Sequence, residues 1–298
     1  MDPTLRLVER FEELLQRKTD ASPYDYQTIF PTGGFFVRRA SQKKLALLKR
    51  IDEQLRTMLR PGERVAYLTS GVLHSFWESY FFGVPAYYLN RRALVLTTER
   101  LILIQIDSKN RPQQLKSQLY LSDIERLGST GFGNAKLRLK SGKNFVFAYV
   151  PKRDRKQLSE LMLSLRPRAT ARGEASGLEH LCPHCYTALP EHPEMCGACR
   201  GQLKSFKRAF LLSLLFPGLG TIYLGHWWFG GFKAVIGAMI WLAVLVPDPQ
   251  NPMTPSERVL NAIIVLAIVH GAAALASFYL ARKGHYPSGT RGAAAPAT

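Results

Sequence analysis

Residues 227–246 read WWFGGFKAVIGAMIWLAVLV, and residues 259–280 read VLNAIIVLAIVHGAAALASFYL. The first stretch holds one formal charge, Lys233, near one end; the second holds none at neutral pH. A helix needs about 20 apolar residues, at about 1.5 Å each, to cross a hydrocarbon layer roughly 30 Å thick. Both stretches reach that length. The connector PDPQNPMTPSER, 247–258, is rich in proline and polar residues and cannot carry one helix into the next. The pattern predicts a helical hairpin with spans at 227–246 and 259–280, within a membrane module covering 204–283.

Just upstream, FLLSLLFPGLGTIYL (210–224) is apolar but about 15 residues long, roughly 22 Å as a helix and too short to cross. Pro217, Gly218 and Gly220 interrupt it, so 206–224 reads as an interfacial or re-entrant segment. Lys204, Lys207 and Arg208 precede it, and Arg282, Lys283 and Arg291 follow the last span. The connector before Arg258 carries only Asp248 and Glu257. Positive flanks face the cytoplasm. The expectation is a multi-pass inner (cytoplasmic) membrane protein with two crossings and both termini cytoplasmic.

Within the spans, Gly230, Ala234 and Ala238 fall on one helix face, and Ala267 and Gly271 on a face of the next. Small residues let backbones approach closely in lipid, so these five form the expected helix-packing surface; they would also serve homo-oligomerisation. His270 lies near the middle of its span. An ionisable residue there is a functional candidate, and a neutral, hydrogen-bonded imidazole is the other reading. The tail, GHYPSGTRGAAAPAT (284–298), reads as disordered.

The chain has 298 residues and a formal net charge of +18. A basic surface suits anionic lipid or nucleic acid, and beside a membrane anchor lipid is the nearer polyanion. The start, MDPTLRLVERFEELLQRK, is acidic in part and amphipathic, which predicts a helix over 4–18 and no signal peptide. Residues 19–37 look like a linker. Leu45, Leu48, Ile51, Leu55, Met58 and Leu59 then recur at helical spacing until Pro61-Gly62 stops them. Residues 1–61 are read as a helical and linker region.

From residue 62 the period changes to that of strands. RVAYLTS (64–70) opens the series. ALVLTTERLILIQID (93–107) holds two β-rich runs around a tight turn at Thr98-Glu99, and QLKSQLYL (114–121) is another candidate. AKLRLK (135–140), a turn at Ser141-Gly142-Lys143 and NFVFAYV (144–150) form a hairpin. Leu137 and Leu139 are expected to face inward on one strand, with Phe145, Phe147 and Tyr149 on the other. PKRDRKQLSELMLSL, from Pro151, is a helix with a stripe of Leu158, Leu161, Met162 and Leu165. Residues 62–165 are therefore an antiparallel β unit plugged by one helix, and the fold class is α+β, multi-module.

The run PGERVAYLTSG, ALVLTTERLILIQI, YLSDIERL and AKLRLKSGKNFVFAYVP followed by a helix resembles bacterial pleckstrin-homology and GRAM-type domains. The carrying piece is LVLTTERLILI (94–104), similar to that family's LTxxRL hairpin. The resemblance implies a seven-stranded barrel capped by a C-terminal helix and a role in binding lipid or protein. The insert LHSFWESYFFGVPAYYLN (73–90) is aromatic where a headgroup-binding loop would be cationic, so lipid specificity does not carry over. Phe76, Trp77, Tyr80 and Phe81, with Arg91 and Arg92, are the candidate partner or lipid surface; the other reading puts part of the insert in the barrel core.

A linker (166–181) leads to Cys182-Pro-His-Cys185 and Cys196-Gly-Ala-Cys199, which account for all four cysteines. Paired Cys-x2-Cys loops bring four thiolates onto one ion, and a reducing compartment favours zinc over a disulfide, with iron the minor alternative. Residues 182–203 resemble a zinc ribbon of the rubredoxin-knuckle type, with Tyr186 where glycine is usual; His184 and His192 are read as spectators. The zinc is expected to be structural. FPGLGTIYLGHWWFGGFKAVI (216–236) is similar to the TM2-type membrane module, although its Asp-Arg-Phe signature is absent.

No phosphate loop, dinucleotide fingerprint or acid–base constellation occurs, and Ser41-x-x-Lys44 sits on a charged helix. The sequence therefore predicts a non-enzymatic membrane adaptor or scaffold that engages a protein or anionic-lipid partner. A membrane-tethered nucleic-acid binder and an accessory transporter subunit are the alternatives.

Overall fold

The computed structural model of the chain describes residues 22–30, 37–74, 84–130, 133–166, 177–190, 193–246 and 254–289. The helix expected over 4–18, residues 75–83 with Phe76, Trp77, Tyr80 and Phe81, residues 167–176 of the 166–181 linker, His192, the connector at 247–253 and the tail beyond 289 lie outside them. The chain forms two compact units, 1–179 and 180–298.

In the first unit, helices α1 (Tyr26–Ile29) and α2 (Val37–Met58) precede strand β1 (Val65–His74) and helix α3 (Val84–Leu89). Strands β2 (Arg91–Thr97), β3 (Arg100–Ile106), β4 (Pro112–Tyr120), β5 (Ile124–Ser129), β6 (Ala135–Leu139) and β7 (Asn144–Ala148) follow, then helix α4 (Lys152–Leu165). The hydrogen-bonded order is β5-β6-β7-β1-β2-β3-β4, antiparallel throughout. β1 is long enough to be shared: Val65 to Val72 pairs with β2, and Val72 to His74 pairs with β7.

The expected barrel is not closed. Strand β5 is an edge with no ladder to β4 among the described residues. A 3-10 turn, Leu121–Asp123, separates the two strands. Helix α4 packs on β5 and β1, and its Leu158 and Met162 join Leu96, Leu101, Leu119, Leu137 and Phe147 in one core. A helix stripe, in place of a ladder, seals the interior.

The second face of the sheet is covered as well. Leu48, Ile51 and Leu55 of α2 are fully buried, and α2 packs on β1 and β4. Each such side chain contributes about 1.5–3 kcal/mol. This double coverage explains why β2 and β3 read as continuous apolar runs. The helix expected in the N-terminal linker region thus belongs to the sheet's own core.

One buried ion pair ties the unit together. Arg100 reaches Glu63 through Nε (2.9 Å) and Nη2 (2.8 Å), and Nη2 also donates to the Met58 carbonyl at 2.7 Å. Thr97 Oγ1 lies 2.6 Å from Glu63 Oε1 and accepts from the Arg100 N–H. Burial alone would raise the Glu63 carboxyl, but hydrogen bonds from Arg100, Thr97 and the Arg60 N–H hold it below the usual carboxylate range. The Thr and Arg of the LTxxRL run are therefore the two groups that lock the β2–β3 turn onto the Pro61-Gly62-Glu63 entrance of β1.

The β6–β7 hairpin turns at Gly142 (φ 83°) as expected, with Leu137, Leu139 and Phe147 buried and Phe145 partly so. Tyr149 departs from expectation. It lies beyond the end of β7 at φ 60°, which breaks the alternation, leaves its ring 73% exposed and turns Val150 inward.

In the second unit, His180 and Leu181 of strand β8 (Glu179–Leu181) pair with β9 (Ala188–Leu189). Helices α5 (Phe206–Leu215), α6 (Leu219–Tyr223) and α7 (Trp227–Leu245) follow. Helix α8 (Pro255–Arg282) starts at a Thr254/Glu257 capping box and carries a π turn over Leu266–His270. Helices α7 and α8 are long and apolar enough to cross a membrane, and little of either apolar stretch is buried. Trp228, for example, is 92% exposed.

The two long helices do not use the predicted seam. The broken pair α5–α6 packs against both, α5 against the C-terminal part of α8 and α6 against α7, while the N-terminal part of α8 touches α7 directly. At the break, Gly218 adopts φ 97° and lies against the Gly230 backbone, leaving no room for a Cβ. Gly220 is as close to the Ala209 carbonyl. Gly230 and Ala234 thus meet the 217–222 loop, while Ala238 and Ala267 are exposed and Gly271 has open space around its Cα. Gly237, Ala274 and Ser277 are the buried small residues instead. On α7 the packed face keeps Gly230 and Ala234 but takes Gly237 in place of Ala238, and on α8 it lies at Ala274 and Ser277 in place of Ala267 and Gly271.

The expected tail is ordered over its first residues. The Lys204 N–H donates to the Tyr286 carbonyl at 2.8 Å, the Ser288 N–H donates to the Gln202 carbonyl at 3.0 Å, and Leu203 bridges Pro287. Tyr286 is only 2% exposed. Backbone pairing and a buried ring override the small, polar composition.

Candidate metal centre and its surroundings

The two Cys-x2-Cys segments fold as copies of one turn. In the first, the Tyr186 N–H donates to the Cys182 carbonyl at 3.0 Å and the Cys182 N–H to the Thr187 carbonyl at 2.9 Å. In the second, Arg200 donates to Cys196 at 2.9 Å and Cys196 to Gly201 at 3.0 Å. Each turn needs a left-handed residue just after its second cysteine. Tyr186 (φ 61°) and Arg200 (φ 55°) fill those positions, so the turn forms without glycine, at a cost of about 1–3 kcal/mol each.

The turns bring the four Sγ atoms within 4.8 Å of one another. Cys182 and Cys199 are 3.8 Å apart, and Cys185 and Cys196 are 3.6 Å apart. Four thiolates about 2.3 Å from a central ion form a tetrahedron with edges of about 3.8 Å. The donor set and spacing fit a four-coordinate metal ion. Cys182 and Cys196 are buried, and the His184 N–H points at the Cys182 sulfur at 3.4 Å. Burial opposes ionisation of Cys185, but hydrogen bonds with Thr187 and its neighbouring cysteines bring its thiol down to about 7. Burial pushes the Cys182 thiol up. The His184 ring packs against Gly201 and is not among the metal-site donors.

The ribbon hairpin continues into the helical unit. Met195 bridges Gln202, Leu203 donates to the Glu194 carbonyl at 2.8 Å, and residues 202–204 then pair with 286–288. His285 and Tyr286 are buried there, and the Tyr286 hydroxyl lies 3.3 Å from His226 Nε2. Nothing in the tail's composition announces this strap.

His270 is 2% exposed and uses both ring nitrogens. Nε2 accepts from the Trp241 indole N–H at 2.8 Å, and Nδ1 lies 2.8 Å from the Leu214 carbonyl. Those partners fix a neutral ring protonated at Nδ1, which satisfies one of the carbonyls left open at the end of α5. A second polar group, invisible as a motif, sits beside it in the helical core. Ser277 Oγ lies 2.7 Å from Ser213 Oγ and 3.1 Å from Thr221 Oγ1, and Ser213 accepts from the Gly220 N–H at 3.0 Å. These groups knit α5, α6 and α8 together.

The candidate surface fares differently. Arg92 is buried and donates to the Leu89 carbonyl at 2.9 Å. Arg91 is held by Asn110 Oδ1 at 2.9 Å. Arg92 is therefore a structural residue. Its aromatic companions Phe76, Trp77, Tyr80 and Phe81 are outside the described residues. Among the described rings, Tyr87 of the insert meets Tyr149 edge-on with centroids 5.2 Å apart.

No protein-family model matches the chain, and no curated protein does either. Among solved structures, the linker and DH/PH domains of p115-RhoGEF align with 46% of this chain and 43% of that one. The identity is 11% and the TM-score 0.30, a likeness too slight to argue from.

Proposed function

We propose that the chain is a non-catalytic membrane scaffold: a two-crossing helical hairpin, a structural zinc ribbon at its base, and an α+β unit, similar to pleckstrin-homology domains, that engages a partner beside the bilayer. The observation that carries this reading is the pairing of residues 202–204 with 286–288. These segments flank the helical module on its two sides, so both flanks lie on one side of any bilayer the module enters. An even number of crossings follows, and α7 and α8 are the two helices of sufficient length. Their outward apolar surface would be a large liability in water.

The scaffold role draws on the way polar groups are used. Four cysteines fill a four-coordinate shell, which leaves no open position for substrate. Two buried ionic pairs of the first unit each engage opposite charges: Glu63 pairs with Arg100, and Lys44 Nζ lies 3.4 Å from Asp154. The positive-inside pattern supports a cytoplasmic setting for the first unit, beside an inner membrane in this reading.

Reporters fused at Met1 and after Thr298 test the topology: both should report cytoplasm, and opposite sides would refute it. Metal analysis of the purified chain tests the ribbon, with one zinc per chain expected and iron or a disulfide refuting it.

A further inference from the structure

The hairpin β5–β6 carries a face that the core does not use. In β6 the residues alternate strictly, with Ala135, Leu137 and Leu139 buried and Lys136 and Arg138 exposed. Lys140 continues the exposed row, and Lys143 follows in the exposed turn. Across the ladder, Arg126 stands directly opposite Arg138. Like charges in that relation destabilise a sheet. The one acidic side chain in strands β5–β7 is Glu125, which lies 2.8 Å from Arg138 Nε. Five cations therefore share an exposed surface with a single carboxylate.

We infer that this face binds the anionic surface of a lipid bilayer, an assignment that rests on the membrane-anchored reading above. A flat row of flexible cations, without a deep pocket or fixed fork, suits a diffuse sheet of headgroup charge better than one small ligand. Each Lys or Arg held near such a surface gains roughly fivefold in binding, and the gain falls off within about 10 Å in physiological salt. Single-stranded nucleic acid offers the same charge, but its binders add aromatic rings for the bases to stack on. The rings of β7 do not serve, because Phe147 is buried and Phe145 packs against the core. The face also takes over the role that buried Arg92 cannot play.

The test is lysine footprinting on the full chain in nanodiscs of phosphatidylcholine, with or without phosphatidylglycerol. Acetylation at Lys136, Lys140 and Lys143 is followed by peptide mass spectrometry, with exposed Lys43 of α2 as the internal control. The three lysines should be labelled about fivefold more slowly in the anionic discs only, high salt should abolish the difference, and Lys43 should not change. The variant Arg126→Glu/Arg138→Glu should lose the protection at Lys136. Equal labelling in both discs overturns the inference, as does protection by added DNA but not by anionic lipid. Recovery of the chain apart from the discs would defeat the anchored reading alone. The same lysines would then be footprinted against phosphatidylglycerol vesicles, where absence of protection again overturns the inference.

Discussion

Replacing Glu63 with glutamine should cost the first unit about 3–5 kcal/mol, the range for breaking a buried ion pair. The carboxylate receives two hydrogen bonds from Arg100, one from the Thr97 hydroxyl at 2.6 Å and one from the Arg60 N–H at 2.9 Å. Glu63→Gln keeps the shape and removes the charge. The guanidinium then stays buried with no counter-charge, facing only neutral acceptors: the Met58 carbonyl, the Gln118 side chain and the single amide oxygen left at position 63. Arg100→Met leaves the opposite charge stranded and should cost a similar amount. The double variant Glu63→Gln/Arg100→Met removes both charges, so its cost should fall well short of the sum. Urea unfolding read by hydrogen exchange of peptides spanning β2 and β3 reports on this unit alone. In a unit of this size, 1 kcal/mol shifts the melting temperature by about 2–4 °C, so each single variant should lose about 6–20 °C. A loss below about 0.5 kcal/mol in Glu63→Gln, the range of a neutral surface change, or single costs that simply add in the double variant, would refute the claim that this pair locks the β2–β3 turn.

The same carboxyl sets an acid limit. Because its folded-state pKa lies below the ordinary 4.5, its stabilisation is complete above that pH and is lost as pH falls through the folded value, a dependence that Glu63→Gln should flatten. Lys44 gives a slope of the same sign in an alkaline window. Burial lowers it to about 8 against the attraction of Asp154, so the unfolded chain binds more protons and stability should rise from about pH 8 until tyrosines begin to ionise near 10; Lys44→Met should remove that rise in urea titrations. Stripping the metal with a chelator, or Cys196→Ser, should increase amide exchange at residues 284–288 along with the ribbon itself, whereas unchanged protection of the strap would show that it docks without the metal. Gly220→Val should destabilise the helical unit by more than the about 1–3 kcal/mol of ordinary overpacking, since its Cβ would meet the Ala209 backbone and Ser213 Oγ; thermal aggregation in detergent is the measurement, and a wild-type midpoint would contradict the packing.

Much of the first unit was legible because its signals are local. Alternation in AKLRLK, the glycine turn at Gly142 and the apolar stripe of α4 each specify their own element. Strand β5 was missed because a bulge between Ile124 and Arg126 breaks its alternation and exposes Glu125 and Arg126 together. Sheet closure is decided by where α4 packs, which no single strand encodes. The cysteines were readable since metal-ligand spacing repeats over a few residues. The hydroxyl group of Ser213, Thr221 and Ser277 was not, because three ordinary residues from three helices acquire meaning only once the helices meet. The seam was misplaced, with Gly237 for Ala238 on α7 and Ala274 and Ser277 for Ala267 and Gly271 on α8, because spacing alone does not say that α5–α6 would pack against both. His270 stood out in sequence as an ionisable group in an apolar run, yet the two groups that hydrogen-bond its ring lie at Trp241 and Leu214, far along the chain.

The strap over residues 202–204 has a mechanical consequence. Tension applied through the first unit reaches the ribbon, along the chain, before it reaches α5. There it divides, part going forward into α5 and part sideways through the Tyr286 and Ser288 hydrogen bonds into the end of α8. The load is shared between two helices in shear, and neither is peeled away from its end. A ribbon built this way is a shackle, in which the four-cysteine cluster and the short ladder bear load in parallel.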